Sequence, residues 1–148
     1  MKRLALIGLG LVVLYLYSFF LIAGTGYALA HPVPAWWESI FSARGPAALT
    51  WMVLCNTTAV LLVSAPFAFV IQRLYGRHGF AVGLGITLIL FLYFSIPALV
   101  DPTLSPFFNS PARFKVVAVF DQIKLIVVLP VLVWAFSRLP SNNRSRVP

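Results

Sequence analysis

The sequence predicts an all-α protein in which four hydrophobic helices cross a lipid bilayer as a single bundle. Of its 148 residues, 61% are hydrophobic and 9% are charged, and a soluble domain of that composition would expose very large apolar patches. Four apolar stretches each reach the roughly 20 residues that a helix needs to cross ~30 Å of hydrocarbon. Inside lipid, backbone polar groups must be paired within the chain, which favours helices over open strands.

The first span is expected over residues 4–30. Pro32 and Pro34 follow it, and proline cannot donate the hydrogen bond that would continue a helix. Lys2 and Arg3 before the apolar run resemble the start of a secretory signal. The run is longer than the roughly 7–15 residues of a signal-peptide core, so we expect this segment to be retained as a membrane helix.

The first outer loop carries two tryptophans, Trp36 and Trp37, followed at helical spacing by Ile40 and Phe41. This spacing predicts a short amphipathic helix lying in the membrane interface, which ends at Gly45-Pro46. Tryptophan is enriched at headgroup depth. We therefore interpret Trp36 and Trp37 as interface anchors, in preference to a docking site for another protein.

The second span, residues 47–72, returns to the inner side and contains Pro66, which removes one helical hydrogen bond. A turn follows, and it carries Arg73 and Arg77. Basic side chains next to a span are suited to anionic lipid headgroups. We expect both arginines to act as anchors at that surface.

The third span, residues 79–100, opens with Gly79 and Gly83. This GxxxG spacing lets another helix backbone approach closely. The approaching helix could belong to the same bundle or to a second copy of the chain, and the sequence leaves both interpretations open.

The fourth span, residues 115–137, follows an outer loop that contains several prolines and ends near Trp134, a further interface anchor. Residues 1–137 are therefore expected to form one transmembrane domain, and residues 138–148 a polar cytoplasmic tail. The two halves of the chain also resemble each other weakly. This similarity suggests two repeated hairpins.

The basic residues predict the topology, because loops on the cytoplasmic side are enriched in lysine and arginine. With four spans, one side of the membrane would carry Lys2, Arg3, Arg73, Arg77, Arg138, Arg144 and Arg146, and the other Arg44, Arg113 and Lys115. Both termini are then cytoplasmic, and we expect a bacterial-type cytoplasmic (inner) membrane. Although the net charge is +8, the bases lie scattered over short loops, which argues against nucleic acid as a partner.

One polar cluster is predicted inside the bundle, around Asp121 and Lys124 of the fourth span. An intramembrane charge costs ~2.5–3.5 kcal/mol on insertion scales, and the i, i+3 spacing puts both groups on one helix face. Counting 1.5 Å per residue, they lie about 9 and 13 Å below the outer boundary. The same count puts six further polar residues in that half: Tyr17, Ser18, Asn56, Thr57, Tyr93 and Ser95.

Two interpretations of this cluster stay open. It could be the floor of an outward-facing cavity that binds a small polar ligand, an ion or a proton. It could instead be an ion pair that fixes helix register or meets a matching charge on another subunit. His31 and His78 fall at opposite membrane faces, and the sequence contains no metal-ligand spacing, cofactor motif or nucleophile motif. We therefore expect no cofactor, no metal site and no enzymatic activity.

Three functions are compatible with these patterns. The first is a small non-catalytic membrane protein that acts through helix-helix association with a membrane partner, as an accessory subunit, an assembly factor or an immunity-type protein. The second is an oligomeric transporter or channel that uses the polar cavity around Asp121 and Lys124. The third is a membrane enzyme. The expected partners are the lipid bilayer and either another membrane protein or a second copy of this chain.

Overall fold

The computed structural model describes residues 2–41, 43–100 and 112–139. Over these residues the protein is helical and contains no strand. The predicted features of the second outer loop and the tail, residues 101–111 and 140–148, lie outside the described residues. The helices are α1 (Lys2–Leu29), α2 (Ala35–Glu38), α3 (Arg44–Tyr75), a 3₁₀ turn (Gly76–His78), α4 (Gly79–Val100) and α5 (Ala112–Arg138).

Three helical stretches in the described part of the chain are long and apolar enough to cross a membrane: Leu4–Leu29, Arg44–Ile96 and Lys115–Arg138. For the described residues, the predictions of an all-helical fold and of helices long and apolar enough to cross a membrane are thus confirmed. The long middle stretch contains α3, the 3₁₀ turn and most of α4, and α3 and α4 contact each other. It therefore folds back on itself at the turn.

Helix α3 is the central element, because it contacts α1, α4 and α5. On one side, Val13, Tyr17 and Leu21 of α1 pack against the buried face of α3. On the other, Leu129 and Val133 of α5 are fully buried and belong to the same core. Helix α4 packs mainly on α5 and contacts α1 at few points. This uneven packing leaves a cleft between α1 and the α4/α5 pair, with α3 at its back.

Large apolar side chains cover the outside of the helices. Leu62 of α3 and Val116 of α5 are each 71% exposed, and Ile7 of α1 is 62% exposed. In water this surface would be a strong driving force for aggregation. Surrounded by acyl chains it carries no such penalty, which agrees with helices that lie in a bilayer.

The first loop differs from the predicted amphipathic helix, since α2 is a single turn of four residues. Trp37 turns inward, where its indole Nε1 donates to the backbone oxygen of Ala47 at 3.0 Å and its ring packs on Trp51. Trp36 also contacts the Trp51 ring edge-to-face, but it stays 61% exposed. The two adjacent tryptophans therefore have different roles. Sequence spacing could not predict this, because the attachment to α3 is a long-range contact.

Gly76 allows the chain to reverse between α3 and α4. Its φ of 52° and ψ of −121° lie where residues with a side chain are strained. We expect Gly76→Ala to lower the free energy of unfolding by about 1–2 kcal/mol, measured by denaturant titration in detergent. Gly26→Ala is the control, because a Cβ added at this helical position meets nothing within 4 Å. An equal loss in both variants would contradict the backbone explanation.

Candidate functional site

The two charged residues of the predicted cluster form an ion pair on α5. Lys124 Nζ lies 2.6 Å from Asp121 Oδ1. The two side chains differ in exposure, since that of Lys124 is 6% exposed and that of Asp121 is 37% exposed. The ammonium group is therefore enclosed by protein, whereas part of the carboxylate faces open space.

Helix α3 supplies a partner for each member of the pair. Asn56 Nδ2 donates to Asp121 Oδ1 at 3.0 Å, and Lys124 Nζ donates to Thr57 Oγ1 at 3.1 Å. The Lys124 ammonium also lies 5.2 Å from the centre of the Phe120 ring, within the range of a cation–π contact. The structure thus brings together four of the eight residues predicted for the cluster: Asp121, Lys124, Asn56 and Thr57.

Asn56 leaves one acceptor unused among the described residues. Its Oδ1 is buried and has no hydrogen-bond donor. Turning the amide over would bring this oxygen against the Asp121 carboxylate and place two acceptors together. The present orientation is therefore favoured, and it leaves Asn56 Oδ1 as a buried acceptor with almost no accessible surface.

A cavity of about 450 Å³ lies in front of this cluster, in the half of the molecule that contains α2. Asp121, Lys124 and Asn56 line it, together with two polar residues that were not predicted for the cluster, Thr25 of α1 and Gln122 of α5. A search for every uncharged polar residue within the spans would have found both. Its apolar lining is Leu21, Ile22, Leu29, Val60, Phe94 and Leu125.

The other four predicted residues lie elsewhere. The Tyr17 hydroxyl is 3.0 Å from Ser64 Oγ, buried between α1 and α3. Ser18 and Tyr93 line a second, apolar groove of about 380 Å³ between α1 and α4. Ser95 lines neither cavity. The prediction used depth alone, whereas each residue turns a helix by about 100°, so residues at similar depth can face different neighbours.

The predicted packing glycines face other helices of the same chain. A Cβ added at Gly79 would lie 2.8 Å from Gln72 Oε1 of α3 and 3.1 Å from Val133 Cγ1 of α5, and one added at Gly83 would lie 3.3 Å from Val133 Cγ2. The close approach at Gly79 therefore involves α3 and α5, and the one at Gly83 involves α5. At these two positions, the contacts are those expected for packing within the bundle.

The predicted interface anchors lie near the ends of the helices. Arg73 and Arg77 are exposed beside the 3₁₀ turn. Trp134 is half exposed near the end of α5, and the Arg138 guanidinium lies 5.3 Å from the centre of its ring. These groups lie at the end of the molecule opposite the polar cavity.

Comparison with known proteins gives no match to a family model, to a curated protein or to a solved structure.

Proposed function

We propose that this protein is a small integral membrane protein that crosses the bilayer four times, with both termini cytoplasmic, and that it is not an enzyme. Four crossings are supported by the reversal at Gly76 within the long apolar stretch Arg44–Ile96. The orientation is supported by Arg73, Arg77 and Arg138 at one end of the molecule. A bacterial cytoplasmic membrane is the expected location.

Within this membrane protein, we propose that the cavity around Asp121 and Lys124 binds a ligand, as a subunit of an oligomeric transporter or channel would. The supporting observation is the cavity of about 450 Å³, which is lined by the part-exposed side chain of Asp121 and by Gln122 and Thr25. Polar side chains at hydrocarbon depth are costly. Contact with a ligand or with water that enters the cavity reduces this cost. An oligomer is proposed because a single four-helix bundle encloses little space.

The proposal predicts that solvent reaches the cavity from the α2 side. In a Cys55→Ser background, which removes the sole cysteine, Thr25→Cys should react with a charged, membrane-impermeant thiol reagent added to that side of proteoliposomes. The reason is that Thr25 lines the cavity, and a thiolate forms only where water reaches the sulfur. The measurement is the fraction of protein whose mass increases by one label.

Thr58→Cys is the matched control, because Thr58 is exposed on α3 and does not line the cavity. It should face acyl chains and stay unlabelled. Equal labelling at both positions, or none at Thr25→Cys in folded protein, would contradict a water-accessible cavity and the proposed ligand site.

A second candidate function is helix-helix association with a membrane partner, which is also compatible with the sequence. It is supported by the length of the cleft, which follows α1 from Leu11 to Leu29, about 27 Å at 1.5 Å per residue. A Cβ added at Gly8 or Gly26 of α1, or at Gly85 of α4, would meet nothing within 4 Å, so another helix could approach closely there. Loss of a co-purifying membrane protein upon Asp121→Leu or Lys124→Leu would favour this role as accessory subunit, assembly factor or immunity-type protein.

A further inference from the structure

The two oxygens of the Asp121 carboxylate have different surroundings. Lys124 Nζ lies 2.6 Å from Oδ1, and Asn56 Nδ2 donates to the same oxygen at 3.0 Å. In the described part of the chain, no hydrogen bond reaches Oδ2. The Asp121 side chain is 37% exposed and lines the cavity of about 450 Å³. Because Oδ1 already has two donors, Oδ2 is the oxygen with capacity to accept a hydrogen bond from a ligand.

The neutral polar residues of the cavity differ in what they can offer a ligand. Gln122 is exposed and makes no hydrogen bond to a described residue, so its amide can both donate and accept. Thr25 donates its hydroxyl proton to the backbone oxygen of Leu21 at 2.8 Å, which leaves its oxygen able to accept. Asn56 offers little, because its Nδ2 donates to Asp121 and its Oδ1 has almost no accessible surface.

Lys124 also lines the cavity, but its ammonium already has partners. It lies 2.6 Å from Asp121 Oδ1, donates to Thr57 at 3.1 Å and lies 5.2 Å from the centre of the Phe120 ring. Only 6% of the side chain is exposed. Lys124 therefore contributes a positive charge beside the carboxylate, and the accessible donor of the cavity is the amide of Gln122.

The complementary ligand group has a donor and an acceptor close together and no charge. Its donor meets Asp121 Oδ2, and its acceptor meets the side-chain N–H groups of Gln122. Asp121 and Lys124 neutralise each other at 2.6 Å. A ligand ammonium would add a positive charge near Lys124, and a ligand carboxylate a negative charge near Asp121, which is costly at hydrocarbon depth. A carboxamide supplies the donor and the acceptor from neighbouring atoms without this cost.

The remaining lining of the cavity suits an apolar substituent on this group. It consists of five aliphatic side chains and the ring of Phe94. The volume of about 450 Å³ exceeds the ~150 Å³ of an apolar cavity that holds benzene. It also lies within the range of roughly 300–1,000 Å³ that is typical of small-molecule sites. A ring or a short hydrocarbon group attached to the carboxamide can therefore lie against these side chains.

We propose that the cavity binds a small uncharged carboxamide with an apolar substituent, its N–H at Asp121 Oδ2 and its carbonyl oxygen at Gln122. This inference rests on the proposed ligand site and specifies the class of its ligand. Asp121 and Gln122 then determine the specificity of the site, whereas Lys124 and Asn56 hold the carboxylate in place through Oδ1.

The test compares four probes that share a benzene ring. Benzamide is uncharged and carries both a donor and an acceptor. N,N-Dimethylbenzamide has the acceptor alone, benzoate is an anion, and benzylamine is a cation at neutral pH. Each is added to proteoliposomes that contain the full chain with Thr25→Cys in the Cys55→Ser background, and its apparent Kd is obtained from the slowing of thiol labelling. We expect benzamide to bind at least fivefold more tightly than each of the other three.

Two further substitutions connect this preference to the proposed atoms. Asp121→Asn keeps an oxygen where Lys124 and Asn56 donate and places an N–H group at the Oδ2 position. It should therefore remove the preference for benzamide over N,N-dimethylbenzamide. Gln122→Leu removes the accessible donor, leaves the ion pair intact and should weaken benzamide binding at least threefold. Thr58→Leu is the matched control, because Thr58 is exposed on α3 and does not line the cavity, and it should change benzamide binding less than twofold.

The outcomes separate this inference from the proposed function. If Thr25→Cys reacts but no probe slows its labelling, or another probe binds as tightly as benzamide, the carboxamide class is overturned and the water-accessible cavity stands. The same holds if Gln122→Leu binds benzamide as tightly as its control. If Thr25→Cys does not react in folded protein, both proposals fail. Should Asp121→Asn not fold, Gln122→Leu still decides, because Gln122 makes no hydrogen bond to a described residue.

Discussion

Asp121→Leu is expected to destabilise the protein by about 3 kcal/mol, because it leaves the enclosed Lys124 ammonium without its counter-charge. Thr57 and the Phe120 ring remain beside the ammonium, but neither is charged. Lys124→Leu should cost less, since the carboxylate it leaves behind is 37% exposed and can be solvated from the cavity. The measurement is the free energy of unfolding from a denaturant titration in mixed micelles.

The double variant Asp121→Leu/Lys124→Leu tests the explanation. Replacing a whole buried ion pair with apolar residues is often close to neutral, so the double variant should recover at least half of the loss. Recovery should be incomplete because Asn56 Nδ2 loses the carboxylate to which it donates. A single variant as stable as the wild type, or a double variant less stable than Asp121→Leu, would contradict the proposed burial of the pair.

Gly83→Leu is expected to lower the free energy of unfolding by about 2–3 kcal/mol. The new Cβ would lie 3.3 Å from Val133 Cγ2 and 3.7 Å from the Pro130 Cα. The remaining leucine atoms would then push α4 away from α5. Backbone atoms cannot move aside as a flexible side chain can. The measurement is the same titration, combined with the oligomeric state from light scattering.

Gly85, two residues from Gly83 on the same helix, provides the control. A Cβ added at Gly85 meets nothing within 4 Å, so Gly85→Leu should change stability by less than about 0.5 kcal/mol. Combining Gly83→Leu with Val133→Ala should restore part of the loss by making room on α5. If Gly83→Leu left stability unchanged and altered only the oligomeric state, the packing of Gly83 inside the chain would be contradicted and self-association favoured.

Local patterns predicted the helices well because each depends on neighbours in the sequence. The apolar run of α1 was expected over 4–30 and is found at Lys2–Leu29. Helix α3 extends three residues beyond each expected end, to Arg44 and Tyr75. Trp36 and Trp37 show the limit of this reasoning. Their helical spacing predicted that both anchor an interfacial helix at headgroup depth, but a bond from Trp37 to Ala47 turns one of them inward.

The candidate site likewise combines features that depend on one helix with features that depend on contacts between helices. The i, i+3 spacing of Asp121 and Lys124 was enough to predict that they meet, because both lie on one helix. Depth in the membrane also grouped them with Asn56 and Thr57, which bond to them. Tyr17 was assigned to the same depth but bonds to Ser64, and Thr25 and Gln122, which line the cavity, were not predicted. Depth is one of the two coordinates that decide which side chains meet. The other is the direction in which each side chain points around the helix axis.

The sequence by itself determined that this chain is helical and able to cross a membrane, because hydropathy and backbone pairing are properties of single segments. It also determined that an acid and a base lie together within one span. Only the tertiary structure decided the rotation of each helix about its axis, and hence which faces pack and which line the cleft. That rotation depends on contacts between distant segments, such as Gly83 with Val133 and Asn56 with Asp121. No periodicity within a single helix specifies them.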